Sequence, residues 1–157
     1  MDYVQRVLWH EGMFITPNHF QQADRHAESL LVRTARAIQP FLRGFTDLEA
    51  DREALSAQRF ALRSAAGVMP DGTAFAMPDA DELPPSRSFG ELFGSDRDRL
   101  GVHLCLPDLR PGSPSSDDPA RPSPTPVRFR RRGARVRDEV HGGSEREIAI
   151  GVAGYAI

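Results

Sequence analysis

Lysine is absent from these 157 residues, so all 20 basic side chains are arginine. They are scattered along the chain, which reads as base composition rather than chemistry. Cysteine occurs once, as Cys105, which excludes an internal disulfide and a cysteine-rich zinc site. Its apolar surroundings, HLCLP, read as a buried, inert thiol. No window approaches the roughly 18 apolar residues of a membrane span. The first residues, MDYVQRVLWHEGMF, lack the basic start and apolar run of a signal peptide. A cytoplasmic chain is expected. Charge of one sign is also lacking: the net charge of −2 exerts no general pull on nucleic acid or anionic lipid. What is present, 39% hydrophobic and 27% charged residues, describes a globular chain. The length suits one domain, residues 1–157, able to bury roughly 70% of its unfolded surface.

Thr16-Pro17 starts a helix: a hydroxyl can cap orphan amides, and proline at the first helical position loses no needed N–H. Phe20, Ala23, Ala27, Leu30, Leu31, Thr34, Ile38 and Phe41 then recur at three- and four-residue spacing, predicting an amphipathic helix over 16–39 that stops before Pro40. After Gly44 the period shortens to two. FTDLEAD and AQRFALRS each alternate, as half-buried strands do. Pro70-Asp71-Gly72 supplies a turn into a returning strand of Thr73, Phe75 and Met77, closed by Pro78. GVHLCLP reads as a short buried strand. Residues 110–126 hold six prolines and four serines, predicting a long mobile loop that does not pack. Two more strands are expected, around 127–136 and 148–157. One helix followed by several strands predicts a mainly β fold, a β-sandwich over 44–157 carrying an N-terminal helix.

The patterns that carry chemistry fail on spacing. A zincin needs His-Glu-x-x-His on a helix, but four positions after His10 stands Phe14. His19 and His26 share the helix about 10 Å apart along its axis, too far for one zinc with bonds near 2 Å. No Gly-x-Ser-x-Gly elbow accompanies His103 or His141, and no calcium loop or phosphate cradle is present. Neither an enzyme nor a metal or other cofactor is expected. VRFRRRGARVR, 127–137, holds six arginines and no acid. It offers an alternative reading, a β-domain that binds nucleic acid. Phe129 is the only aromatic there to stack on a base, and Glu145 and Glu147 on the next strand favour cross-strand charge pairing instead. Leu8, Trp9, Met13, Phe14 and Ile15 follow no regular period. Some are expected to cover the sandwich and others to meet another chain; Trp9, Met13 and Phe14 are of the types enriched at buried interface centres.

The blocks VLWHEGMFITPNHFQQADR, GFTDLEADREAL, GVMPDGTAFAMP and LCLPDLRPG, in this order, resemble the N-terminal part of the type VI secretion baseplate subunits TssK, also called ImpJ or VasE. The family's Trp-x-Glu-Gly-Met-Phe-x-x-Pro-x-His-Phe-Gln-Gln pattern is matched by Trp9, Glu11, Gly12, Met13, Phe14, Pro17, His19, Phe20, Gln21 and Gln22. The leucine of its Leu-Pro-Asp-Gly turn is replaced by Met69, ahead of Pro70, Asp71 and Gly72. The resemblance implies a cytoplasmic structural protein, not an enzyme. It implies a β-sandwich shoulder domain that docks on a wedge of TssF and TssG. It also implies a homotrimer, and contact with the membrane-complex proteins TssL and TssM through a head domain. Nothing in this sequence resembles the family's helical neck or head, and a fragment or truncated product is expected.

Overall fold

A computed structural model describes residues 4–93, 98–110, 112–118 and 122–157. The fold is mainly β with one long helix at the N-terminus, the class expected. Helix α1 spans Pro17–Ile38 with Thr16 as its N-cap and Gln39 as its C-cap. Strand β1, Gly44–Ala50, and the short helix α2, Arg52–Ser56, follow. Next come β2, Arg59–Phe60, β3, Leu62–Val68, β4, Ala74–Met77, and β5, Arg87–Ser88. Strands β6, Phe129–Val136, and β7, Arg146–Ala153, complete the order. The sheets are β1-β3-β4, β2-β5 and β6-β7. In the last, the antiparallel register runs from Phe129 opposite Ala153 to Val136 opposite Arg146.

Two compact units are present, Met1–Phe45 with Gly67–Ala74, and Thr46–Ala66 with Phe75–Ile157. In the first, β3 and β1 approach so closely that a Cβ on Gly67 would overlap the Gly44 carbonyl oxygen. The expected turn at 70–72 is closed by Met69 N–H donating to the Thr73 carbonyl at 2.8 Å. In the second unit, Leu62, Ala65, Phe75, Met77 and Tyr155 are the buried apolar side chains. The Phe75 and Tyr155 rings lie 6.1 Å apart.

Several expectations differ in detail. AQRFALRS is not one strand: Ala57 and Gln58 end α2, Gln58 takes φ 56°, and the extended residues divide between two sheets. Asp51, read as the last acid of a strand, instead caps α2 by accepting from the amides of Glu53 at 2.9 Å and Ala54 at 3.3 Å. GVHLCLP is not a buried strand. Only Cys105 pairs there, exchanging two backbone bonds with Ala156, and its thiol is exposed rather than buried. Within 110–126, Pro111 and residues 119–121 lie outside the described residues. Ser115–Asp117 is not free: the Phe129 amide donates to the Ser115 carbonyl at 2.9 Å, and the Asp117 amide to the Phe129 carbonyl at 3.2 Å.

Candidate partner interface

Residues 10–13 form a turn in which Gly12 takes φ +76° and the Met13 amide donates to the His10 carbonyl at 3.4 Å. An L side chain rarely adopts that φ, so Gly12 is what lets the chain reverse between Trp9 and Phe14. Trp9 is 53% and Phe14 84% exposed, while Met13 is half-buried. The Trp9 ring lies 6.1 Å from the His19 ring and 6.4 Å from the Phe20 ring.

The histidines of this region serve local structure. His19 Nδ1 accepts from the Thr16 amide at 3.1 Å and lies 2.9 Å from the Thr16 hydroxyl, a capping box with histidine in the place of the usual glutamate. His26 Nδ1 lies 2.8 Å from the Val4 carbonyl oxygen, and His10 Nδ1 lies 3.0 Å from that of Glu11. Among the described residues no three of His, Cys, Asp and Glu come together as a metal cluster.

Helix α1 carries the main surprise. The side turned toward its own unit is half-buried and largely polar or small: His19, Gln22, Ala23, His26, Ser29, Val32, Ala35 and Arg36. Gln22 donates to the Gln5 carbonyl and Arg36 to the Pro70 carbonyl, each at 2.8 Å. Hydrogen bonds rather than apolar burial therefore set the rotation of the helix. The apolar stripe read from the sequence, Ala23 apart, faces solvent. Phe20, Ala27, Leu30, Leu31, Thr34 and Ile38 are all exposed, Leu31 at 71% and Ile38 at 79%, and Phe41 continues the stripe past the helix end. An apolar stripe of this kind, left in water, is a candidate contact surface. Spacing alone predicts the stripe but not its direction, and Trp9, whose ring lies beside that of Phe20, adjoins its N-terminal end.

The arginine stretch sorts itself by geometry. Arg130 and Arg132 both donate to the Glu82 carboxylate, at 2.7 and 2.8 Å, and Arg137 pairs with Glu145 at 2.8 Å. Arg128 is buried and donates to the Pro107 carbonyl at 3.0 Å. Four of the six are thus bound within the fold, one by the cross-strand acid expected and two by Glu82, which sequence spacing did not indicate.

Comparison with known proteins decides the family. The family described as bacterial type VI secretion, EvfL, ImpJ and VasE, matches residues 19–155. This chain belongs to it. A curated relative, the type VI secretion system baseplate component TssK1 of Pseudomonas aeruginosa, is 41% identical over 113 residues, 72% of this chain and 24% of the relative. A crystal structure of TssK superposes with a TM-score of 0.81 at 28% identity, covering 98% of this chain and 34% of that one. A cryo-electron microscopy structure of a TssK–TssF–TssG baseplate subcomplex gives 0.83 at 27%, covering 98% and 50%. The fold is the shoulder-domain fold of these proteins. The chain spans about a quarter of the curated relative's length. No helix among the described residues is long and apolar enough to cross a membrane.

Proposed function

We propose that this chain is a structural, non-enzymatic part of a type VI secretion baseplate. It docks on a TssF–TssG wedge through the solvent-facing stripe of α1 together with Trp9, Met13 and Phe14. The observation that carries the reading is the exposed apolar face of α1, present in a chain whose relatives include a TssK solved with TssF and TssG. Residues 1–157 act as one shoulder module, the helix supplying the contact and the β sheets the platform. Homotrimer formation and the link to TssL and TssM are assigned to polypeptide that the longer relatives hold beyond the matched stretch. The module works in the cytoplasm, needs no cofactor, and does not use 127–137 to bind nucleic acid, because four of the six arginines there are already engaged.

The test pairs Trp9→Ala and Phe14→Ala with a Leu31→Glu/Ile38→Glu double variant. Each is measured for retention of the TssF–TssG wedge and for thermal unfolding. Anchors at an interface cost on the order of 2 kcal/mol or more when truncated, about a thirtyfold loss of affinity. The expected outcome is lost retention with an unchanged melting curve. Normal retention by all variants overturns the assignment.

A further inference from the structure

The ribbon of β6 and β7 holds a second unpartnered feature, a backbone edge. The Phe129 N–H and C=O are both bonded to the Ser115–Asp117 segment, so they point away from β7. Arg128 points the other way, its carbonyl accepting from the Gly154 amide at 2.8 Å. In an antiparallel pair these directions alternate, so the N–H and C=O of Arg131, Gly133 and Arg135 also point outward. Among the described residues no backbone group meets them. The chain therefore shows how the edge is used: the extended segment at Ser116 adds in parallel at Phe129.

The charge around the open part of this edge selects what can continue the ladder. Strands β6 and β7 together hold five arginines and one carboxylate, Glu147. Arg130 and Arg132 are taken by Glu82 on one face. On the other face Arg131 and Arg135 flank Gly133, both exposed and neither in an ion pair among the described residues; Glu147, opposite Arg135 with its carboxylate beside Gly133, is the one acid of the ribbon there against the two arginines. A second copy is a poor occupant, since β6 beside β6 sets arginine against arginine, and like charges opposite one another are destabilising.

We propose that the β6 edge from Arg131 to Arg135 receives an extended segment of a partner protein with carboxylates four residues apart on one face. Main-chain bonds to Arg131, Gly133 and Arg135 supply the attachment, and the two guanidinium groups read the acids. The inference rests on the reading of the chain as a wedge-docking part, and places that acidic segment on the wedge.

The experiment measures binding of the full chain to the TssF–TssG wedge. Gly133→Pro removes one outward N–H that the β6–β7 ladder does not use, a substitution edge strands tolerate. Gly133→Ala is its control, because it adds the same Cβ and keeps the N–H; that Cβ meets only the end of the Glu147 side chain, at 2.5 Å. The expected result is at least a tenfold weaker wedge for Gly133→Pro than for Gly133→Ala, with the circular dichroism of the two alike. An Arg131→Glu/Arg135→Glu variant should weaken the wedge similarly, and it keeps the test valid if the proline variant folds badly. Equal affinity of the alanine and proline variants, or unchanged binding by the double reversal, overturns the edge while leaving the α1 reading intact. Loss of single-stranded DNA retention in the double reversal, with wedge binding unaffected, also overturns it and assigns the edge to nucleic acid. If the unchanged chain does not bind the wedge, both readings fall together.

Discussion

Arg128 and Arg135 stand in the same arginine-rich stretch and meet opposite surroundings. The first is buried, with its guanidinium on the carbonyl of Pro107, 21 residues away in sequence. The second is exposed on β6 with no ion pair among the described residues. Removing a buried charged donor forfeits a charge-assisted bond and leaves a carbonyl unsatisfied, so Arg128→Ala should cost roughly 1.5–3 kcal/mol in urea unfolding. Arg135→Ala should stay within about 0.5 kcal/mol, as surface changes do. Equal costs would mean that the stretch behaves as one solvated face, as its sequence suggests. Nothing local separates the two residues, because the difference lies in which strand end meets residues 103–107, a contact remote in sequence. His19 is a similar case. Its role as a cap depends on Thr16 three positions earlier, a spacing that was visible, but histidine at that position also fits the first turn of any helix.

Elements were legible where period and punctuation agree. The capping threonine, the proline after it and Pro40 bound α1 to within a residue, and the Pro-Asp-Gly turn sits where its chemistry placed it. The period misleads where five residues of helix interrupt a strand pattern. Asp51 fits the alternation of β1 equally well, yet its carboxylate caps α2. That carboxylate is held below the ordinary aspartate range, chiefly by the Ala54 amide, against a smaller desolvation effect and with help from the Glu53 amide and Arg63. A depressed folded pKa gives stability that is present above the unfolded value, near 3.9, and is lost as pH falls through the folded value. Asp51→Asn should therefore lower stability at pH 7 and remove part of the acid limb of an unfolding titration; an unchanged acid limb would show that the cap contributes nothing. Strand packing makes a sharper demand at Gly67. Any Cβ there collides with the Gly44 carbonyl, and backbone cannot move aside as a side-chain tip can. Gly67→Ala should lower the melting temperature by several degrees, since 1 kcal/mol shifts a chain of this size by about 2–4 °C. A neutral outcome would mean that β1 and β3 separate freely.

At the scale of the whole molecule, what stands out is the solvent-facing stripe of α1, with Leu31 71% and Ile38 79% exposed. The sequence could show an amphipathic helix but not this outcome, because a stripe that covers a sheet and a stripe that waits for another protein have the same spacing. The rotation that separates them is set by Gln22, His26 and Arg36, polar residues whose carbonyl partners belong to other segments. If the wedge covers the stripe, it binds the folded chain and not the unfolded one. Mass action then raises unfolding free energy by about 2.7 kcal/mol at a hundredfold excess over Kd, or about 5–10 °C in Tm at this length. The Leu31→Glu/Ile38→Glu variant should melt like the unchanged chain when alone, because both side chains are already in water, and should show no rise with the wedge. Differential scanning calorimetry with and without TssF–TssG separates the two possibilities. A rise that survives in the double variant would move the contact off α1, and a lower Tm without the wedge would mean that the stripe packs within the chain after all.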